Sequence, residues 1–329
     1  MEVVVARLTA PDSPFRRADR RPLDPAKFRD PLVTAKGERR AAVPMTGMNT
    51  LWFNTGTLCN LACATCYIES SPRNDALVYL SAADVAGYLD EVARENMPVR
   101  EIGFTGGEPF MNREIVAMLA DALGRGFDVL VLTNAMAPMR RFERELAALC
   151  ERHGDRLTMR VSLDHHSRAV HEAERGAGAW ERAVNGLRWL AHEGFRFAVA
   201  GRALPGEAEE AARVAYARLF AELELPGDAA DSSRLVLFPE MDVEADVPEI
   251  SEGCWSILKK SPASVMCASS RMVVKRRGQA RPSVAACTLL PYHPEFDMGP
   301  TLKGAMRPVA LNHQHCARFC VLGGASCSG

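Results

Sequence analysis

Three cysteines, Cys59, Cys63 and Cys66, stand in a C-x3-C-x2-C spacing. They follow an apolar run from Thr50 to Thr55 that ends at Gly56, which predicts a buried strand with the thiols on the loop beyond it. Loops held at the ends of rigid strands are where chemistry concentrates. Three thiolates hold three irons of a [4Fe–4S] cube, whose full protein complement is four. The next cysteine along the chain is Cys150, so this loop leaves one iron without a local ligand. Such an open position is what a reactive metal site needs and a structural site lacks. A zinc knuckle, or a chance trio of buried thiols, is the plainer alternative. A second motif, Thr105-Gly106-Gly107-Glu108-Pro109, begins after one intervening helical stretch. Its paired glycines let backbone approach a ligand closely, and Glu108 can accept a hydrogen bond from an ammonium group.

The cysteine spacing resembles the signature of the radical S-adenosylmethionine (radical SAM) superfamily, C-x3-C-x-aromatic-C. Here Thr65 stands before the last cysteine and the aromatic, Tyr67, comes after it, so position 65 offers no ring to adenine. The Gly106-Gly107-Glu108-Pro109 segment resembles the family motif that holds the amino group of SAM. By that resemblance Gly107 and Glu108 take this role here. Val161-Ser162-Leu163-Asp164 resembles the family's fourth-strand segment, which implies that Ser162 and Asp164 face SAM. Thr133 and Asn134 match the segment after the third strand, near SAM or substrate, and Arg202 is a candidate partner for the SAM carboxylate against a plain surface salt bridge.

These groups need elements to place them. Strands are expected at 50–55, 100–105, 127–133, 157–163, 195–200 and 234–238. Several are near-continuous apolar runs such as Val129-Leu130-Val131-Leu132, as parallel strands covered on both faces require. Amphipathic helices alternate with them. The first starts at Ser81 with Asp84 three residues on, a capping-box pattern. Others carry Ile115, Leu119 and Leu123; Val184, Leu187 and Leu190; and Ala212, Tyr216, Leu219 and Leu223. Glycines and polar groups cluster just past each strand's C-terminal end, the sixth cluster being Pro239-Glu240-Met241-Asp242. Ligands bind at that edge of α/β sheets and barrels. His165, His166 and His171 read as loop residues whose adjacent side chains diverge, and Cys150 as a buried, inert thiol beside Leu146 and Leu149.

From about Val243 the helical period fades and six cysteines appear: Cys254, Cys267, Cys287, Cys316, Cys320 and Cys327. Residues 271–274 and 283–286 around Gly278 read as a hairpin whose arms bring Cys267 and Cys287 to one open end. This resembles the auxiliary-cluster domains of SPASM and shorter twitch type found in many radical SAM enzymes. The resemblance implies one auxiliary [4Fe–4S] cluster on four of Cys267, Cys287, Cys316, Cys320 and Cys327. Zinc is the rival metal, since thiolate donors serve both. With little periodicity of its own, the segment is expected to need metal to fold.

The 329 residues carry a net charge of −1, with 47% apolar and 25% charged side chains. That gives no electrostatic case for nucleic acid or an anionic membrane, and no run is long enough for a membrane span. Ten cysteines without an export signal point to metal ligation in a reducing, cytoplasmic setting. Residues 1–48 are expected as an irregular arm, with a basic stretch from Arg16 to Arg40 solvated on the surface. Residues 49–242 form the core domain and 243–329 the auxiliary-cluster domain. The resemblance implies an α/β fold, a partial (β/α)6 parallel barrel with a small C-terminal cysteine-rich iron–sulfur domain. It further implies SAM on the open iron, reduced by an external flavodoxin- or ferredoxin-type donor. Cleavage then gives methionine and a 5′-deoxyadenosyl radical that takes a hydrogen atom from the substrate. Peptide-modifying members often carry an N-terminal leader-binding domain. The short arm favours a small molecule over a peptide. An iron–sulfur electron-transfer or sensing protein is the alternative from another class.

Overall fold

The computed structural model describes residues 13–17, 19–239, 242 and 244–325. Strand β1 (Ala42–Val43) precedes six strands that alternate with helices. These are β2 (Thr50–Asn54), β3 (Glu101–Thr105), β4 (Asp128–Thr133), β5 (Leu157–Ser162), β6 (Arg196–Arg202) and β7 (Leu235–Phe238). The helices between them are α1 (Ala82–Arg94), α2 (Ile115–Gly124), α3 (Ala137–Arg140), α4 (Glu143–His153), α5 (Arg168–Arg175), α6 (Ala179–His192) and α7 (Glu209–Glu222). A short α8 (Cys254–Leu258) leads to the hairpin β8 (Ser270–Val274) and β9 (Ser283–Ala285), and β10 (Val309–Ala310) pairs back with β1. The expected capping box is present: Ser81 Oγ accepts from Asp84 N, and Asp84 accepts from Ser81 N, each at 3.0 Å.

Strands β2 to β7 are parallel and lie side by side in chain order. With right-handed crossovers and no reversal of direction, successive helices fall on one face. The other face must then curl round its own side chains, as in a barrel. Phe53 and Phe104 stack 5.7 Å apart on the helix side, with Tyr88 of α1 against Phe53. The buried Trp52 ring fills the position opposite Gly103, where an added Cβ would come within 2.3 Å of it. Any side chain at 103 therefore displaces the ring.

The C-terminal hairpin does not stand apart. Strand β8 pairs in parallel with β2, with Thr50 opposite Ser270, so the hairpin extends the sheet to eight strands and covers its edge. One continuous apolar core runs from Leu51 through Val273 to Phe319. Arg271, fully buried on β8, donates to the carbonyls of Cys267, Ser270, Ala305 and Arg307 at 2.6–2.9 Å. It thus pegs the loops that carry the later cysteines.

The N-terminal arm corrects the expectation of a solvated basic stretch. Arg20 pairs with Asp242 and Glu244, Lys27 with Asp246, and Arg40 with Glu249. The basic run is matched by the acidic run 242–252, which sequence distance hides. Arg40 is the buried member: its side chain is 0% exposed, against 6% for Glu249. Burial pushes the Glu249 carboxyl up, but hydrogen bonds from Phe28 N, Ala35 N and Arg40 outweigh it and leave it below the usual range. Glu249→Ala is expected to cost about 3–5 kcal/mol, because it strands a buried guanidinium. In the wild type this stability is present above the unfolded carboxylate pKa of about 4.3 and is lost as pH falls through the lowered folded value. Proteolysis of the arm across pH 5 to 2 reads the effect. Equal cleavage at both ends of that range would refute it.

Candidate active site

The C-terminal ends of the parallel strands surround an open cavity of about 1060 Å³. Cys59, Cys63 and Cys66 line it, with Gly106 and Gly107 after β3, Thr133 and Asn134 at the end of β4, and Ser162 and Asp164 at the end of β5. Arg160, Ser162 and Asp164 lie at alternate positions, so the period of an extended chain sends all three inward.

The cysteine loop is held from α5. Ala64 N donates to Glu174 O at 3.0 Å, while Thr65 N and Thr65 Oγ1 donate to Glu174 Oε1 at 2.8 and 2.6 Å. Arg202 donates to Thr65 Oγ1 at 2.6 Å and pairs with both Glu174 and Asp164. Arg175 pairs with Asp164 from the other side and approaches Cys63. Two carboxylates and two guanidiniums thus balance in the wall of the cavity. Burial opposes the Asp164 charge, but Arg175 and Arg202 overcome it and hold the carboxyl well below the usual range. The hydroxyl at position 65, where the superfamily pattern has a ring, is the handle of this clamp.

Arg202 lines the cavity and is engaged there by Thr65, Asp164 and Glu174. Arg160, Glu174 and Arg175 are the site residues that sequence reading missed. Helix α5 buries His171 and Glu174, not an apolar stripe, so hydrophobic periodicity could not reveal it. The signal available was Gly176 after Arg175, a positive-φ glycine at a helix end.

The glycine pair lines the cavity and also packs against the cysteine loop. Gly107 N donates to Gly56 O and Glu108 N to Leu58 O, so the two loops zip together. A Cβ at 106 would meet Gly56 O at 2.5 Å, and one at 107 would meet Leu58 O at 2.3 Å. What the glycines approach is the backbone of the cysteine loop. Glu108 does not line the cavity. It is buried and accepts from Thr133 Oγ1, Asn134 N and Phe110 N. Burial pushes its carboxyl up to about 7, against those hydrogen bonds. Pro109, buried at the start of a 3-10 turn, does not line the cavity either. Glu108, with its acceptor bonds to Phe110, Thr133 and Asn134, braces the strand ends. Glu108→Ala is expected to lower the stability of the metal-free protein by about 1–3 kcal/mol, since it leaves Asn134 N unpartnered. A melt indistinguishable from wild type, with weakened SAM affinity, would restore the direct contact.

The three thiols suit an iron–sulfur cluster. All nine cysteines among the described residues are free. Burial pushes Cys59 and Cys63 up to about 12, with Arg175 drawing Cys63 down. Such thiols become anionic at neutral pH only on a metal. Among the described residues no fourth cysteine lines this cavity.

A second cavity of about 340 Å³ is lined by Cys267, Cys287, Cys316 and Cys320. The first two sit at the open end of the β8–β9 hairpin. The other two sit four residues apart on a π-helical segment, Cys316–Leu322, a form that recurs at functional sites. Burial pushes Cys267 up to about 11, and Arg271 opposes it. The buried Arg271 guanidinium near Cys267 and Cys287 favours their thiolate forms. Cys254 does not line this cavity; its Sγ lies 3.6 Å from Ser251 Oγ. Cys327, Glu240 and Met241 lie outside the described residues.

His165 and His166 converge where divergence was expected. Their rings are 3.9 Å apart, and both meet Glu207, at 3.4 and 3.2 Å. His165 Nδ1 accepts from Ser167 N, which places the proton on Nε2. That nitrogen is then a donor to Glu207 and not a metal ligand. His171 lies in α5, against the edge of Trp180. Cys150 is half-buried on α4 and lines neither cavity.

Comparison with known proteins agrees with this geometry. The mycofactocin maturase MftC of Mycolicibacterium smegmatis is 30% identical over 137 residues, 42% of this chain and 33% of its own. The antilisterial bacteriocin subtilosin biosynthesis protein AlbA of Bacillus subtilis is 27% identical over 169 residues, 51% of this chain and 35% of its own. The matches thus span about a third of these relatives. The solved structure of native anSMEcpe with bound AdoMet shares the fold, with a TM-score of 0.56 over 82% of both chains at 13% identity. Residues 53–218 match the radical SAM superfamily as a family, and on that match the chain belongs to the radical SAM superfamily of enzymes.

Proposed function

We propose that Cys59, Cys63 and Cys66 hold a [4Fe–4S] cluster with one open iron and that SAM occupies the cavity beside it. The observation that carries this reading is the meeting of three free thiols with Gly106, Gly107, Asn134, Ser162 and Asp164 on one cavity wall. When bound, the cluster supplies the electron that cleaves SAM reductively, drawn from an external one-electron reductant of flavodoxin or ferredoxin type. The protein orients and encloses. The Glu174–Thr65–Arg202 clamp fixes the loop, and Thr133 and Asn134, braced by Glu108, set the wall beside it. Arg160, Arg175 and Arg202 are the cations that line the cavity and face a SAM carboxylate there. Cys267, Cys287, Cys316 and Cys320 would hold one auxiliary [4Fe–4S] cluster. The substrate is a small molecule or a peptide.

Anaerobically reconstituted, reduced protein is expected to convert SAM to methionine and 5′-deoxyadenosine. Protein that holds the cluster yet forms no 5′-deoxyadenosine would support the rival reading, electron transfer or sensing without turnover.

A further inference from the structure

A third cavity, of about 660 Å³, adjoins the first and shares Thr65, Arg202 and Phe238 with it. Any occupant would lie one side chain away from the cysteine loop. Its walls are mainly apolar, from Phe15, Leu204, Pro205, Phe238 and Pro239, and Arg16 and Arg17 are placed among them. The charges on this wall are unequal. Arg202 is engaged by Thr65 and Glu174 and covered by the Phe15 ring, 4.6 Å from its guanidinium carbon. Asp242 is paired with Arg20. Arg16 has no carboxylate partner among the described residues, and its Nε is buried without a hydrogen bond. A guanidinium against apolar walls is a receptor for a carboxylate, which its planar fork meets with two parallel hydrogen bonds.

We propose that this cavity binds the substrate through a carboxylate on an apolar body, with Arg16 as the counter-ion. The proposal rests on the SAM-cavity reading for the word substrate, but the binding itself does not depend on turnover. The anion could belong to the free end of a peptide or to a small organic acid.

Calorimetric titration of the reconstituted, SAM-loaded chain separates these. Three probes suffice: N-acetyl-L-phenylalanine for a peptide end, 3-phenylpropionate for a free acid, and N-acetyl-L-phenylalaninamide as the uncharged control. At least one acid is expected to bind tenfold or more tightly than the amide, as one charge-assisted pair implies. Arg16→Gln should bring that acid to the level of the amide, and Arg16→Lys should retain part of the difference. Preference for the first acid assigns a peptide end, and preference for the second a small molecule. Equal binding of acid and amide, no binding of either acid, or undiminished acid binding in Arg16→Gln would overturn the proposal. The comparison of acid with amide needs no variant to fold. Because the titration reads binding alone, a wild type that fails to cleave SAM would count against the enzyme reading and not against this one.

Discussion

Replacing Cys59, Cys63 and Cys66 together by alanine is expected to abolish SAM cleavage while leaving about four irons and four sulfides per chain, as one cube requires. The two thiol groups line separate cavities, so loss of one donor set leaves the other intact. Iron and sulfide analysis after anaerobic reconstitution reads the result. A triple variant without iron, or native protein holding zinc, would remove the auxiliary cluster. A triple variant that still forms 5′-deoxyadenosine would remove the primary one. The converse variant, Cys267→Ala with Cys316→Ala, should stay folded though less stable. Weak periodicity alone predicts a C-terminal segment that needs metal to fold. The fold instead gives it a share of the main core, through β8 on β2 and the Arg271 peg. Its dependence on metal is accordingly local.

Glu174→Ala is expected to have the next largest effect. The side chain is 0% exposed, and its removal leaves Thr65 N and the Ser13 hydroxyl proton without an acceptor and Arg202 short of one carboxylate. Breaking a buried charge network in this way costs about 3–5 kcal/mol. The loss falls on the loop between Cys63 and Cys66, so iron at the first site should drop more than iron at the second. Titrating iron with a chelator reads the two populations separately. Glu174→Gln keeps the acceptor at Thr65 and should recover much of the iron but less of the stability. Equal iron loss at both sites would show that Glu174 serves the fold generally and does not position the loop.

Much of this is legible in the sequence because it is local. The apolar runs of β2 to β6, the Ser81 capping box and the C-x3-C-x2-C spacing each depend on neighbours a few residues apart. The hairpin arms around Gly278 follow from spacing alone, and the arms carry Cys267 and Cys287 to the same end. Tertiary structure decided whatever required distant parts to meet. Helix α5 buries a histidine and a carboxylate in place of an apolar stripe, so its role in holding Thr65 has no periodic signature. The destination of Glu108 depended on whether the next strand end offered donors, and Thr133 and Asn134 did. The basic arm found its acidic partner more than two hundred residues away, at Asp242, Glu244, Asp246 and Glu249. Charge in sequence gives the sign of a partner. Only packing chooses which partner is near enough to exclude water.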